Sequence, residues 1–161
     1  MRSSSFPKRA ELRVAIGDLT PSYEDYIEAI YDLALHGDGS VRSTDVADAL
    51  GFSKASVARA TKNLREMGYI EQERYGEITL TPAGKEYGEH ILMRHRVLRA
   101  FLIDALGVDE EAANREACMM EHAISEDTMD KWIAWYEENY GPVSETPQAQ
   151  ECRLPNAGNA P

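Results

Sequence analysis

The chain has 161 residues, 43% hydrophobic side chains and two cysteines, enough apolar material for one compact core or two small cooperating domains without a disulfide framework. No apolar run approaches the roughly 20 residues that span a bilayer, and the first ten residues lack the apolar centre of a signal peptide, so we expect a cytoplasmic protein with no membrane partner. The formal net charge of −11 excludes a nucleic-acid partner unless the basic residues are concentrated in one place.

The N-terminal segment, residues 1–19, is polar and aperiodic, which predicts a flexible arm. Thr20 and Pro21 then offer an N-cap and a first-turn proline. Apolar residues follow at helical spacing as far as Gly37. The sequence therefore predicts that a first helix begins after Thr20.

Two shorter helices are predicted next. Ser43 or Thr44 is expected to cap the second helix, which Gly51 ends, and Ser53 is expected to cap the third, which Gly68 ends. A helix, a tight glycine turn and a second helix form the helix-turn-helix pattern.

Alternating apolar and polar residues at 69–74 and 77–80 flank a Tyr75-Gly76 turn, which predicts a two-stranded hairpin. Three helices followed by such a hairpin make a winged helix-turn-helix, here predicted over residues 20–80. The fold class that follows is mainly α.

The C-terminal half is predicted to be helical over residues 81–141. Thr81 and Pro82 begin a long fourth helix, Asp109 begins a fifth and Ser125 a sixth. The tail, residues 142–161, is rich in proline, glycine, alanine and asparagine, so we expect it to be flexible. The domain order is therefore a winged helix followed by a helical domain.

A basic surface is predicted on the third helix, because the segment 53–65 contains no acidic residue although the chain as a whole is acidic. In helix-turn-helix proteins the second helix of the motif enters the major groove. Arg59 is the best candidate for a base contact, since a guanidinium can pair with guanine through two hydrogen bonds. The full set of candidate DNA contacts is Ser53, Lys54, Ser56, Arg59 and Lys62, with Arg74 in the wing. A solvated basic face that contacts protein is the alternative.

A second group of residues could bind a metal ion. Positions i, i+3 and i+4 share one helical face, so Cys118, Glu121 and His122 bring a thiolate, a carboxylate and an imidazole together, a mixed set that suits Fe(II), Mn(II), Co(II) or Zn(II). The alternative is a small core cysteine, a solvated glutamate and a hydrogen-bonded histidine. Asp25 and Glu28 are further candidates, because these two carboxylates lie three residues apart on one helical face; the alternative is a solvated pair. His95, which lies within the apolar stripe of the fourth helix, is the last candidate; the alternative is a core histidine whose hydrogen bonds are satisfied within the protein.

Several segments together resemble the diphtheria toxin repressor and manganese transport regulator family. They are residues 20–31, the helix-turn-helix and wing, residues 80–84, residues 94–96 and residues 116–125, within a match that covers roughly residues 20–140. The resemblance implies a dimer, joined through the C-terminal helical half, that binds palindromic double-stranded operators when it carries metal.

The resemblance also implies the ligands of one or two Mn(II) or Fe(II) ions per subunit. They would be Asp25, Glu28, His95, Cys118, Glu121 and His122. The aspartate at position 25 is the manganese-type residue, whereas the cysteine at position 118 is the iron-type residue, so the sequence is a hybrid. Iron-type proteins place a second metal with ligands where this chain has Arg99 and Asn114, which puts that second site in doubt.

The function that follows is a metal-activated transcriptional regulator, most simply a repressor, of iron or manganese uptake and homeostasis, and not an enzyme. The alternatives are a winged-helix regulator with vestigial ligands, a metal-dependent enzyme, and a binder that tolerates any DNA sequence. Because the acidic surface is poor in lysine, we also hypothesise a halophilic source, such as a halophilic archaeon.

Overall fold

The computed structural model describes residues 19–74 and 76–147. The predicted arm up to residue 18, Tyr75 of the predicted turn, and the tail beyond residue 147 lie outside the described residues. The described residues fall into two compact units, one ending at Leu92 and the other beginning at Met93. We call residues 19–92 the N-terminal unit and residues 93–147 the C-terminal unit.

The helices and strands come in the predicted order. Within the described ranges they are α1 (Pro21–His36), α2 (Ser43–Leu50), α3 (Lys54–Glu66), β1 (Ile70–Gln72), β2 (Ile78–Leu80), α4 (Pro82–Asp104), α5 (Glu110–Glu121) and α6 (Glu126–Tyr140). None of these helices has the length and apolar character needed to span a membrane.

The N-terminal unit is a winged helix, as predicted. Helix α1 contacts α2, α3 and β2. Its core contains apolar side chains that are fully buried on all of these elements, including Ile27, Val46, Val57, Leu64 and Ile78. This packing leaves the opposite face of α3 exposed.

The wing is a two-stranded antiparallel hairpin in which Ile70 lies opposite Leu80. It extends beyond the two predicted strands, because Val41 pairs with Ile78 through two backbone hydrogen bonds of 2.9 and 2.7 Å. Val41 is also buried. The segment between α1 and α2 therefore anchors the wing to the helices.

Most predicted helix starts are confirmed, and one is wrong. Helix α3 has Ser53 as N-cap, with its hydroxyl accepting from the Ser56 amide, whereas α2 begins one residue earlier than expected, with Arg42 rather than Ser43 or Thr44 as N-cap. Arg42 forms a two-hydrogen-bond ion pair with Asp45, both bonds 2.9 Å long. This pair occupies the first turn of α2 in place of the hydroxyl cap.

The start of α4 is held against the hairpin. The Thr81 hydroxyl accepts from the Gly84 amide at 3.1 Å and donates to the Gly68 carbonyl at 2.7 Å. A Cβ at Gly84 would lie 1.9 Å from the Tyr69 carbonyl oxygen, so no larger residue fits there. The first turns of α4 thus belong to the N-terminal unit, and the predicted domain boundary at residues 80 and 81 stays a prediction.

The C-terminal unit has its own apolar core. It is built by Val97, Leu98, Ala100, Leu102, Ala113, Ala117, Met129, Tyr136 and Val143. Val143 lies in a 3-10 turn, Val143–Glu145, and is fully buried. The prediction of a flexible tail from residue 142 is therefore wrong for residues 142–147, because burying Val143 fixes the chain after α6.

Candidate metal centre and nucleic-acid interface

The end of α5 brings the predicted metal donors of the C-terminal unit together. Ligand atoms of Cys118, Glu121 and His122 lie within 4.8 Å of one another. Glu121 is fully buried, whereas the other two side chains are partly buried. His122 Nε2 lies 3.3 Å from Glu121 Oε1. Local sequence fixes this arrangement, since Asp109 caps α5 through the Glu111 and Ala112 amides and the buried Ala113 and Ala117 orient the helix.

His95 of α4 joins this group. Its ring is fully buried. Nδ1 lies 2.7 Å from Glu121 Oε2, and Nε2 lies 2.9 Å from Asn114 Oδ1. The buried Glu121 carboxylate is thus contacted by imidazoles from both α4 and the end of α5.

A buried arginine next to His95 was missed by the sequence analysis. Arg94 is 1% exposed, and its Nε and Nη2 donate to the Glu121 carbonyl at 2.9 and 2.6 Å. Nη2 also donates to the Ile124 carbonyl, and Nη1 donates to Glu126 Oε1 at 2.8 Å. Arg94 therefore fixes the turn between α5 and α6 that carries two of the candidate ligands.

The other two candidate ligands, Asp25 and Glu28, lie on α1 in the N-terminal unit. Glu28 is 1% exposed, and Asp25 is partly buried. The neighbouring Glu24 is also buried, which the sequence analysis missed, and it accepts a 2.7 Å hydrogen bond from the Tyr87 hydroxyl. Helix α1 thus carries two buried carboxylates, Glu24 and Glu28, with the partly buried Asp25 between them in the sequence.

The donor set of the C-terminal unit fits a divalent metal ion. A thiolate, a carboxylate and imidazole nitrogens combine soft, hard and borderline ligands, which suit first-row transition metals. The carboxylate of Glu121 is buried. An isolated negative charge is costly inside a protein, and a bound cation would stabilise it. This cluster, Cys118, Glu121 and His122 with His95, is called the α5 donor cluster below.

The candidate DNA contacts are all exposed. Lys54, Arg59 and Lys62 lie on the open face of α3, and Arg74 is exposed in the wing. Lys62 has a 4.0 Å contact with Glu66. Two of the predicted contacts already serve the helix itself, because the Ser53 hydroxyl donates to the Ser56 hydroxyl at 2.9 Å as well as capping α3.

A depression of about 310 Å³ adjoins this face within the N-terminal unit. Its lining comes from α1, the α2–α3 turn and α3, and consists of Ser22, Tyr23, Tyr26, Phe52, Ser56, Arg59 and Ala60. The Tyr26 and Phe52 rings lie 5.5 Å apart, and burial raises the pKa of Tyr26. Arg59 therefore borders a surface that mixes aromatic and polar groups.

Two family models match the chain. Residues 18–78 match "Iron dependent repressor, N-terminal DNA binding domain", and residues 81–137 match "Iron dependent repressor, metal binding and dimerisation domain". The residues of the α5 donor cluster all fall in the second match, and those of the exposed α3 face fall in the first.

Relatives of known sequence and structure agree with these models. An uncharacterized HTH-type transcriptional regulator of Methanocaldococcus jannaschii is 35% identical, covering 70% of this chain and 90% of the relative. The HTH-type transcriptional regulator MntR of Lysinibacillus sphaericus is 38% identical, covering 70% of this chain and 79% of the relative.

A solved structure, a manganese-dependent transcriptional repressor in complex with manganese, is similar at a TM-score of 0.65 and 27% identity. The match covers 70% of this chain and 51% of that one, so this chain spans about half the length of that protein. Together these matches show that the chain belongs to the diphtheria toxin repressor and manganese transport regulator family of metal-dependent, DNA-binding transcriptional regulators, which are not enzymes.

Proposed function

We propose that this protein is a homodimeric repressor that binds palindromic operators when it carries Mn(II) or Fe(II), and so controls uptake and homeostasis of that metal. The observation that carries the proposal is the α5 donor cluster, in which Cys118, Glu121 and His122 place ligand atoms within 4.8 Å of one another. Such a mixed cluster in a family of metal-dependent regulators is best explained as the sensing site.

The ligands in the C-terminal unit are His95, Cys118, Glu121 and His122. Asp25 and Glu28 are added to this set because they occupy the corresponding family positions on α1. A bound divalent cation supplies positive charge that offsets these carboxylates. The chain's own residues position the ligands: the buried Glu121 carboxylate contacts the imidazoles of His95 and His122, and Arg94 holds the backbone of the same turn.

DNA binding is activated because the metal ligands become fixed in one arrangement. When the α5 donor cluster and the α1 carboxylates are held in one arrangement, the position of α3 in each subunit varies less. Two α3 helices then dock on two half-sites at a smaller cost in conformational freedom, so the operator selects the ordered population.

The choice of metal rests on two residues. Asp25 is a hard ligand of the kind Mn(II) prefers, whereas the thiolate of Cys118 is a softer ligand that favours Fe(II). One or two ions per subunit are compatible with the six ligands. The comparisons name both metals: one relative is called MntR, and the family model that matches the C-terminal half is that of iron-dependent repressors.

DNA recognition is assigned to the exposed face of α3 and to the wing. Arg59 reads a base edge, while Lys54, Lys62 and Arg74 contact phosphates. Ser53 caps α3 by accepting from the Ser56 amide, and the two exposed hydroxyls at this end of the helix contact the same phosphate backbone. A regulator of this kind works on chromosomal DNA, which places it in the cytoplasm.

The metal choice is tested with an operator selected from random duplexes. Its affinity is measured anaerobically with Mn(II) and with Fe(II), for the wild type and for Cys118→Glu. We expect Cys118→Glu to keep the Mn(II) response and to lose most of the Fe(II) response, because a hard oxygen replaces the thiolate.

Met119→Glu is the matched control. Met119 is 70% exposed, so the same negative charge is added one residue away without a ligand being replaced. A Met119→Glu variant that changed metal preference as much as Cys118→Glu would contradict the assignment, as would a Cys118→Glu variant identical to the wild type.

A further inference from the structure

We propose that Asn114 is a positioning residue for the metal site: its amide oxygen holds Nε2–H of His95, so that Nδ1 is turned toward Glu121 and is the nitrogen that binds the ion. The inference rests on the proposed function, and it deepens that function by assigning a role to a residue that is not itself a ligand.

The geometry places Asn114 behind the ligand. The His95 ring is fully buried, with Nε2 2.9 Å from Asn114 Oδ1 and Nδ1 2.7 Å from Glu121 Oε2. The two nitrogens therefore face different partners on the same helix, and a half-turn of the ring would put carbon atoms in place of both nitrogens, so both contacts hold the ring in this orientation.

Helix periodicity explains why one helix can provide both partners. Asn114, Cys118 and Glu121 are spaced at i, i+4 and i+7 along α5, so they lie on one face. This face meets the His95 side of α4. The same face of α5 thus provides two ligands and, one turn before them, the group that orients a third.

The chemistry of the two groups sets the direction of the effect. An amide oxygen only accepts, so the nitrogen it contacts must carry a hydrogen. A histidine that binds a metal through one nitrogen donates through the other, and the partner of that second nitrogen fixes the orientation of the ring.

The test compares Mn(II) affinity, measured by competition with a chelating dye, for the wild type, Asn114→Leu and Asn114→Asp. Leucine has nearly the shape of asparagine but accepts no hydrogen bond. The Mn(II) affinity of Asn114→Leu should therefore fall about 10- to 100-fold, as is usual when the hydrogen-bond partner of a ligating histidine is removed. Aspartate keeps an acceptor, and it should retain most of the wild-type affinity.

Asn63→Leu is the matched control. It removes an asparagine of α3 that donates to the Tyr23 hydroxyl in the N-terminal unit and has no part in the contact between His95 and Asn114. Its Mn(II) affinity should equal that of the wild type. Thermal unfolding of each ion-free variant shows whether a loss of affinity exceeds any loss of stability.

A second readout needs no metal. In ion-free protein with ¹⁵N-labelled histidine, long-range spectra show which nitrogen of His95 carries hydrogen, and we expect hydrogen on Nε2 in the wild type and a change in that signal in Asn114→Leu. A bare Nε2 in the wild type, equal Mn(II) affinity in Asn114→Leu, or an equal loss in Asn114→Asp would each overturn the inference.

The outcomes also separate this inference from the proposed function. If the wild type binds neither Mn(II) nor Fe(II), the proposed function fails and the role of Asn114 fails with it. If the wild type binds metal and Asn114→Leu binds it equally well, only the role of Asn114 is wrong.

Discussion

The guanidinium of Arg94 donates two hydrogen bonds to the main-chain carbonyl of Glu121, the residue whose side chain contacts both His95 and His122. A third donor of the same guanidinium pairs with Glu126 at 2.8 Å. One buried side chain thus joins α4 to the end of α5 and the start of α6. The position of the Glu121 carboxylate depends on this connection.

Replacement of Arg94 should therefore be costly. Arg94→Leu leaves Glu126 and the Glu121 carbonyl without their buried donor, so we expect the free energy of unfolding to fall by about 3 to 5 kcal/mol. Arg94→Lys should recover only part of this loss, because an ammonium cannot reproduce the planar fork.

Urea unfolding of the ion-free protein measures this effect. The control is Arg115→Leu, which removes an exposed 3.0 Å pair with Glu111 and should change stability by less than about 1 kcal/mol. Equal stabilities for the Arg94→Leu and Arg115→Leu proteins would show that the buried arginine does not hold the turn.

The roles assigned on α3 predict two different losses. Arg59→Ala should weaken binding to the selected operator by about 1 to 3 kcal/mol and relax specificity at one base, with little effect on random duplex. Lys62→Ala should weaken both complexes alike and lower the slope of log affinity against log salt by about one. Fluorescence anisotropy across a salt series measures both, and a reversed pattern would exchange the two roles.

Tyr136 predicts a loss of stability in alkali. Its hydroxyl donates to Asp104 at 2.5 Å, and burial together with that hydrogen bond raises the pKa of Tyr136 from 10.0 to about 12. Between these values the unfolded chain has lost the proton while the folded chain retains it, so the stability contributed by Tyr136 is complete below pH 10 and is lost as the pH rises through 12.

Tyr136→Phe should therefore flatten the fall in unfolding free energy between pH 10 and 12 by on the order of 2 kcal/mol. Urea unfolding at several alkaline pH values measures the slope. Tyr140→Phe, which removes a hydroxyl from the ring stacked on Tyr136, should flatten the slope much less, because Tyr140 is the smallest of the influences that raise the pKa of Tyr136. Parallel curves for all three proteins would contradict the assignment.

The acidic surface predicts a dependence on salt. With 28 acidic and 17 basic side chains and a net charge of −11, the folded chain repels itself at low ionic strength. At molar salt the screening length falls to about 3 Å, so the unfolding free energy should rise from dilute to molar KCl. A stability that is flat or falls with KCl would count against the hypothesis of a halophilic source.

The local features of the fold could be predicted, because they depend on neighbouring residues. Pro21 at the start of α1, the Ser53 cap of α3 and the left-handed Gly51 that ends α2 each act within a few residues. The first turn of α2 was misplaced because the Arg42–Asp45 pair competes with a hydroxyl cap, and sequence alone does not rank the two.

The contacts that shape the site were less predictable. Cys118, Glu121 and His122 follow from spacing on one helix, whereas the partners of His95 and Arg94 come from residues 19 to 32 positions away. A basic residue beside a core histidine gave one signal for Arg94, but two of its three partners are the backbone carbonyls of Glu121 and Ile124, which no residue pattern reveals.

The central claim is that metal controls DNA binding, and one measurement tests it most directly. The dissociation constant of the wild type on the selected operator is determined anaerobically at fixed salt, with saturating Mn(II) or Fe(II) and again after chelation. Metal activation predicts binding that is at least about 100-fold tighter with one of these ions, equivalent to about 2.7 kcal/mol. An affinity unchanged by either ion and by the chelator would contradict it, and would favour a regulator whose metal ligands are vestigial.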